Sequence, residues 1–100
     1  MLNSRQRAQL RAIANPIDTI LQIGKDGITE NTVKSATDAL TAREIIKCRV
    51  LENAGISARE AADSLSLLCG AETVQTIGSR FVLYKENRKI DKEKRIRLVK

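Results

Sequence analysis

The sequence has no histidine, no tryptophan and only two aromatic side chains, Phe81 and Tyr84. Without histidine there are no Ser-His or Cys-His nucleophilic pairs, no imidazole metal ligands and no side chain that ordinarily exchanges a proton near neutral pH. Two aromatics provide no series of platforms on which bases or sugars could stack. Tyr84 is expected to pack in a sheet with its hydroxyl at the rim. Cys48 and Cys69 stand 21 residues apart with no second pair, so a CxxC metal or redox site is absent. Both fall in apolar patterns, and free buried thiols in a reducing cytosol are expected in place of a disulfide. No apolar run approaches the roughly 20 residues of a membrane span, and the opening MLNSRQRAQLRAI lacks the uninterrupted apolar stretch of a signal peptide. A soluble cytoplasmic protein with no membrane partner is therefore expected. The twelve carboxylates form no D-x-D or metal-spaced cluster, so neither an enzyme nor any metal or other cofactor is expected.

What is present is an aliphatic core and an unevenly placed positive charge. One hundred residues make one domain and are too few for two independent cores. Leu, Ile and Val together number 26, enough for a packed interior. Lys and Arg outnumber Asp and Glu 18 to 12, a net charge of +6. Residues 1–25 hold four basic side chains against one acidic, residues 85–100 eight against three, and residues 26–84 six against eight. The regional charges are thus +3, +5 and −2. Basic ends around a nearly neutral middle point to a polyanion partner, nucleic acid before membrane.

Ser4 to about Ala14 spaces Leu10, Ile13 and Ala14 at helical intervals, with Arg7 and Arg11 along one edge of that stripe and Arg5 on the opposite face. Asn3 or Ser4 caps its start, and Asn15-Pro16 ends it, because proline restricts the residue before it and donates no N–H. Ile17–Ile23 reads as a short strand. Gly24-Lys25-Asp26-Gly27 follows, and Thr29 then caps a second helix over about Glu30 to Ala42 with Val33, Ala36 and Leu40 on one stripe. Glu44 to Leu51 alternates Ile46, Cys48 and Val50 against Lys47 and Arg49, the period of a strand with one core face and one basic face. Ser57-Ala58-Arg59-Glu60 is a capping box opening a third helix, whose stripe of Ala58, Ala61, Ala62, Leu65, Leu68 and Cys69 stops at Gly70. Thr73–Ile77 and Arg80–Lys85 flank Gly78-Ser79 as a hairpin. The order is αβαβαββ, an α/β chain of the α+β two-layer type. Residues 1–85 form the domain, and 86–100 read as a basic tail without sustained apolar period that orders in part on a partner.

The four-residue loop Gly24–Gly27 is the candidate for chemistry. Glycines at both ends allow positive φ and let a ligand's backbone approach without meeting a Cβ. The loop feeds a helix whose first N–H groups carry partial positive charge, so a phosphate there would meet those donors and the Lys25 ammonium, with Asp26 turned away. Glu30 suits the helix dipole but repels an incoming phosphate. G-x-x-G is also the signature of a plain turn needing special dihedrals. Nucleotide-triphosphate and dinucleotide loops are excluded, since GxxxxGK[ST] and GxGxxG are absent. In KH domains the same four letters join two helices, whereas here a strand precedes them.

Asn15-Pro16, then Ile20-Leu21-Gln22-Ile23-Gly24-Lys25-Asp26-Gly27-Ile28-Thr29, Leu40-x-x-Arg43-Glu44-Ile45-Ile46-Lys47, Val74-Gln75-Thr76-Ile77-Gly78 and Val82-Leu83-Tyr84-Lys85 occur in one order over about residues 3–90. In these motifs the chain resembles the CRM domain (chloroplast RNA splicing and ribosome maturation) in its single-domain bacterial YhbY-like form. The resemblance implies a four-stranded mixed sheet packed by helices and an RNA-binding role on ribosomal RNA or large-subunit precursors, the plant relatives assisting intron splicing. Carried onto this sequence, the family's GxxG loop falls on Gly24, Lys25, Asp26 and Gly27. Its basic surface falls on Arg5, Arg7 and Arg11 of the first helix and on Arg43, Lys47 and Arg49 around the second strand. Asn15 stands where the family often has His, and Cys48 where Val is common.

The expected function is a non-catalytic, monomeric RNA-binding module that grips phosphate backbone through this loop, this surface and the basic tail. The competing expectation is a factor that docks on ribosomal proteins, its basic ends serving only electrostatic attraction. The helix arginines read equally as a solvated face, and Arg43-Glu44 equally as a helix end.

Overall fold

In a computed structural model, which describes residues 2–90 and 95–99, helix α1 spans Ser4–Ala14. Its N-terminus is closed by a reciprocal pair, the Asn3 side chain accepting from the Gln6 N–H at 2.8 Å and the Gln6 side chain accepting from the Asn3 N–H at 3.0 Å. Past Pro16 one further turn forms, the Ile17 N–H donating to the Ala14 carbonyl at 3.0 Å, so strand β1 begins later than expected and covers Thr19–Ile23. Helix α2 (Glu30–Arg43) is capped by Thr29 and Thr32 in the same reciprocal way. Strand β2 (Ile45–Val50) leads through a single 3-10 turn at Glu52–Ala54 to helix α3 (Ala58–Cys69). The Ser57–Glu60 box predicted for α3 is present, and Gly70, at φ 68°, supplies its left-handed end. Strands β3 (Glu72–Ile77) and β4 (Arg80–Tyr84) form the expected hairpin.

The four strands make one mixed sheet in the order β1-β2-β4-β3. β1 and β2 run parallel because α2 carries the chain back between them, and the two other pairings are antiparallel. Alternation along each strand then divides the molecule. Ile46, Cys48 and Val50 of β2 with Phe81 and Leu83 of β4 face α2 and α3, meeting Ala36, Leu40, Ala61, Ala62 and Leu65. Ile45, Val74, Val82 and Tyr84 face the other way and are covered by Leu10 and Ala14 of α1. Each large aliphatic chain buried in these layers stabilises the fold by about 1.5–3 kcal/mol.

Two details depart from the sequence pattern. Leu68, expected in the buried stripe of α3, is 59% exposed, because Ala58, Ala61, Ala62, Leu65 and Cys69 already form the covered face and Leu68 lies beyond its edge. Glu44, expected to begin a strand, instead ends α2 with φ 65° and is wholly buried. Its carboxylate accepts from the Asn87 N–H and the Ile96 N–H, each at 2.8 Å. Residues 96–99 thereby return to the domain. The Gln6 amide donates to the Val99 carbonyl at 2.9 Å, the Val99 N–H donates to the Gln9 side chain at 2.8 Å, and Ile96 and Leu98 pack on the α1 side of the core. What the sequence presents as a charged tail is, over this stretch, part of the cover of α1.

Candidate nucleic-acid interface

The Gly24–Gly27 segment closes as a tight turn at the end of β1, the Gly27 N–H donating to the Gly24 carbonyl at 2.9 Å. Lys25 and Asp26 stand at its tip, both exposed. The two glycines differ in kind. Gly27 has φ 67°, a conformation that L side chains rarely adopt. Gly24 does not, and a Cβ there would make only ordinary contact, 3.7 Å from the Leu51 side chain and 4.0 Å from that of Asn53. Glycine allows positive φ at both ends of the turn, and the fold uses it at one. Downstream, the Thr29–Thr32 box takes up two of the first N–H groups of α2. Those of Glu30 and Asn31 have no partner among the described residues, as is usual for a first helical turn.

The turn shares its end of the sheet with the start of β4. Ile23, the residue before Gly24, lies opposite Val50, and the Leu51 N–H donates to the Ile23 carbonyl at 2.8 Å. One residue back, Gln22 of β1, Arg49 of β2 and Arg80 of β4 are consecutive neighbours in register, and Ile77 of β3 completes the row. Arg49 and Lys47 alternate with core residues and so lie on the sheet face that α1 covers only in part. Arg49 is exposed. Lys47 is half-buried, donating from Nζ to the Asn15 carbonyl at 3.2 Å.

The other expected site residues separate. Arg5 and Arg11 are exposed on α1. Arg7 is half-buried, and its guanidinium donates to the Thr73 carbonyl, beside the irregular step in the β3–β4 pairing. It is a tie between α1 and β3. Arg43 is exposed at the last residue of α2, and a 14-residue helix puts it about 20 Å from the start of that helix, the end that follows the Gly24–Gly27 turn. Arg80 was not singled out in the sequence. Its signal was the alternation Arg80, Val82, Tyr84 along β4, but only the β2–β4 register sets it opposite Arg49.

Neither cysteine belongs to this surface. Both are free and buried; burial, reinforced by Cys69, pushes the Cys48 thiol from 9.0 up to about 12. Tyr84 is packed in the α1-side core, its hydroxyl pushed from 10.0 up to about 12 by burial and then by Glu44 and Glu86. No group of three or more His, Cys, Asp and Glu side chains that could hold a metal ion occurs among the described residues. No helix among them is long and apolar enough to cross a membrane.

Comparison with known proteins agrees with this architecture. The chain is 40% identical over 88 residues to a Bacillus subtilis protein named "Probable RNA-binding protein YqeI", the match covering 88% of this chain and 92% of the relative. A Pseudomonas aeruginosa protein, also named a probable RNA-binding protein, is 26% identical over 91 residues, 91% of this chain and 88% of its own. The solution structure of a hypothetical Staphylococcus aureus protein superposes with a TM-score of 0.81 at 45% identity, covering 99% of this chain and 100% of that one. The family model described as the CRS1 / YhbY (CRM) domain matches residues 2–85, and the chain belongs to that family.

Proposed function

We propose that this protein binds RNA by its phosphate backbone, with the Gly24–Gly27 turn as the central contact. Ribosomal RNA within precursors of the large subunit is the expected target, and the protein acts there as a cytoplasmic, monomeric and non-catalytic factor. The names of its relatives support the class of partner. The observation that carries the role of the turn is the exposed Lys25 between two glycines, one of which the fold does not require. A glycine without a structural reason keeps the backbone open to close approach by a ligand. Lys25, Arg49, Arg5 and Arg11 add exposed positive charge, Lys47 adds more from a half-buried position, and two aromatics favour backbone over base recognition. Arg7 and Arg43 contribute less, the first through its bond to β3 and the second through its place at the far end of α2.

Gly24→Ala and Lys25→Glu test the role of the turn. Both variants are expected to melt like the parent, since one adds a methyl group in ordinary contact and the other changes an exposed tip. Both are expected to weaken binding to a structured ribosomal RNA fragment about tenfold in a fluorescence-anisotropy titration. Unchanged affinity in both removes the turn from the mechanism. Docking on a ribosomal protein is the second reading, favoured by Leu67 and Leu68, 82% and 59% exposed on α3. Crosslinks from residues 24–27 to RNA support the first reading, and crosslinks to protein alone support the second.

A further inference from the structure

We propose that the part of the sheet left open beside α1 carries a second phosphate-binding subsite for RNA, formed by Arg49 and Arg80 with Lys47, continuous with the Gly24–Gly27 turn. The subsite rests on the RNA-binding role proposed above, in which Lys47 and Arg49 already take part, and adds Arg80, the partner of Arg49 across the sheet, as a further contact.

Arg49 and Arg80 are directly opposed in the antiparallel β2–β4 pair. Side chains at opposed positions have Cβ atoms about 4.5–5.5 Å apart, and like charges there oppose folding. Among the described residues neither arginine has a carboxylate partner, and both are exposed. An anion seated between the two guanidinium groups would convert the repulsion into attraction, with the planar forks well shaped to share phosphate oxygens. The row continues to Gln22 on one side and Ile77 on the other, so the two charges sit mid-sheet with an amide and an apolar chain as flanks.

The same face holds a shallow concavity of ≈ 160 Å³ lined by Asn15, Lys47, Gln75, Ile77, Arg80, Phe81 and Val82, with Arg49 at its margin opposite Arg80. Its two cations, Lys47 and Arg80, and two amides, Asn15 and Gln75, suit a phosphate group. Ile77, 64% exposed, supplies an apolar surface on this side, the Phe81 side chain being buried in the layer that faces α2 and α3. Lys25 lies three residues beyond Gln22, so the turn and the row are within about 10 Å along β1. An RNA strand, which carries a phosphate at every step, fits that continuity, and the planar guanidinium forks match its phosphates.

Arg80→Gln and Arg49→Gln in the full chain test the subsite, with a labelled RNA stem-loop bearing single-stranded flanks as the probe over a range of salt. Each substitution is expected to weaken binding about five- to tenfold and to reduce the log–log salt slope by about 0.7–0.9, the signature of one lost phosphate contact. The melting temperature should hold or rise slightly, since each change removes a like-charge opposition. Arg80→Lys should recover part of the affinity and the full salt slope, since it keeps the charge and loses the planar fork. Unchanged affinity and slope in both variants, with Lys25→Glu still weakened, overturn the subsite and leave the turn standing. Weakening in both with Lys25→Glu unaffected supports the subsite and removes the turn instead. A lowered melting temperature that Arg80→Lys restores without restoring affinity overturns the subsite, as does unchanged RNA binding with lost binding of a polyglutamate peptide.

Discussion

Glu44 occupies a backbone conformation and an environment that are both unfavourable to it. Its φ of 65° is strained for a residue with a Cβ, and its carboxylate is wholly removed from solvent. Both are offset by what it holds. Its carboxylate receives two backbone N–H groups, its carbonyl accepts from the Lys85 N–H at 2.8 Å, and its own N–H closes α2 on the Leu40 carbonyl at 2.8 Å. Glu44→Gln preserves the volume but presents an NH2 to one of the two donors. The expected loss is about 1–3 kcal/mol in urea denaturation, with faster amide exchange at Asn87 or Ile96. Cys48 and Tyr84 give the residue scale a second handle. Both ionise at their ordinary values, 9.0 and 10.0, when the chain is unfolded and only near 12 when it is folded. Above pH 9 the unfolded state therefore sheds protons that the folded state retains. The stability these groups provide is intact below pH 9 and declines as pH rises toward 12. Thermal melts of Cys48→Val across that window should fall less steeply with pH than those of the parent.

At the scale of elements, α1 carries two exposed arginines beside a structural tie. Arg7 bonds the edge strand, while Arg5 and Arg11 point to solvent. Arg7→Ala is accordingly expected to destabilise by about 1 kcal/mol, and Arg11→Ala to leave the melting temperature unchanged while weakening RNA binding. Melting curves and anisotropy titrations of the two variants separate these roles. The contrast also shows how far local pattern reaches. Helix limits, the Ser57–Glu60 box, the Gly70 stop and the 78–79 turn are all written in short-range spacing, and each is found. Arg7 was legible as a basic residue on the edge of an apolar stripe, but its acceptor lies 66 positions away. The opposition of Arg49 and Arg80 depends on strand register, and the Glu44 contacts depend on residues 43 and 52 positions further on. Pairings of that range leave no periodicity to read. Leu68 fits the helical stripe by spacing, yet which arc of α3 is covered depends on where α2 lies.

For the molecule as a whole, the charge of +6 is distributed over surfaces with different tasks. Lys85 donates to the Cys69 carbonyl at the end of α3 at 3.0 Å, and Arg95 pairs with Glu86 at 2.8 Å, so part of the C-terminal charge is spent within the fold. Counting Lys25, Arg49, Arg80, Arg5 and Arg11 as phosphate contacts, RNA affinity should fall with a log–log salt slope of about −4. A titration between low and physiological salt checks this, and a flat dependence would exclude backbone gripping. The bonds from Gln6 and Gln9 to residues 97–99 add a consequence in time. These partners are separated by 88 to 93 positions in sequence. During synthesis α1 emerges before the other described elements and residues 97–99 after them, so this helix is sealed only once the sheet and the other two helices have been made.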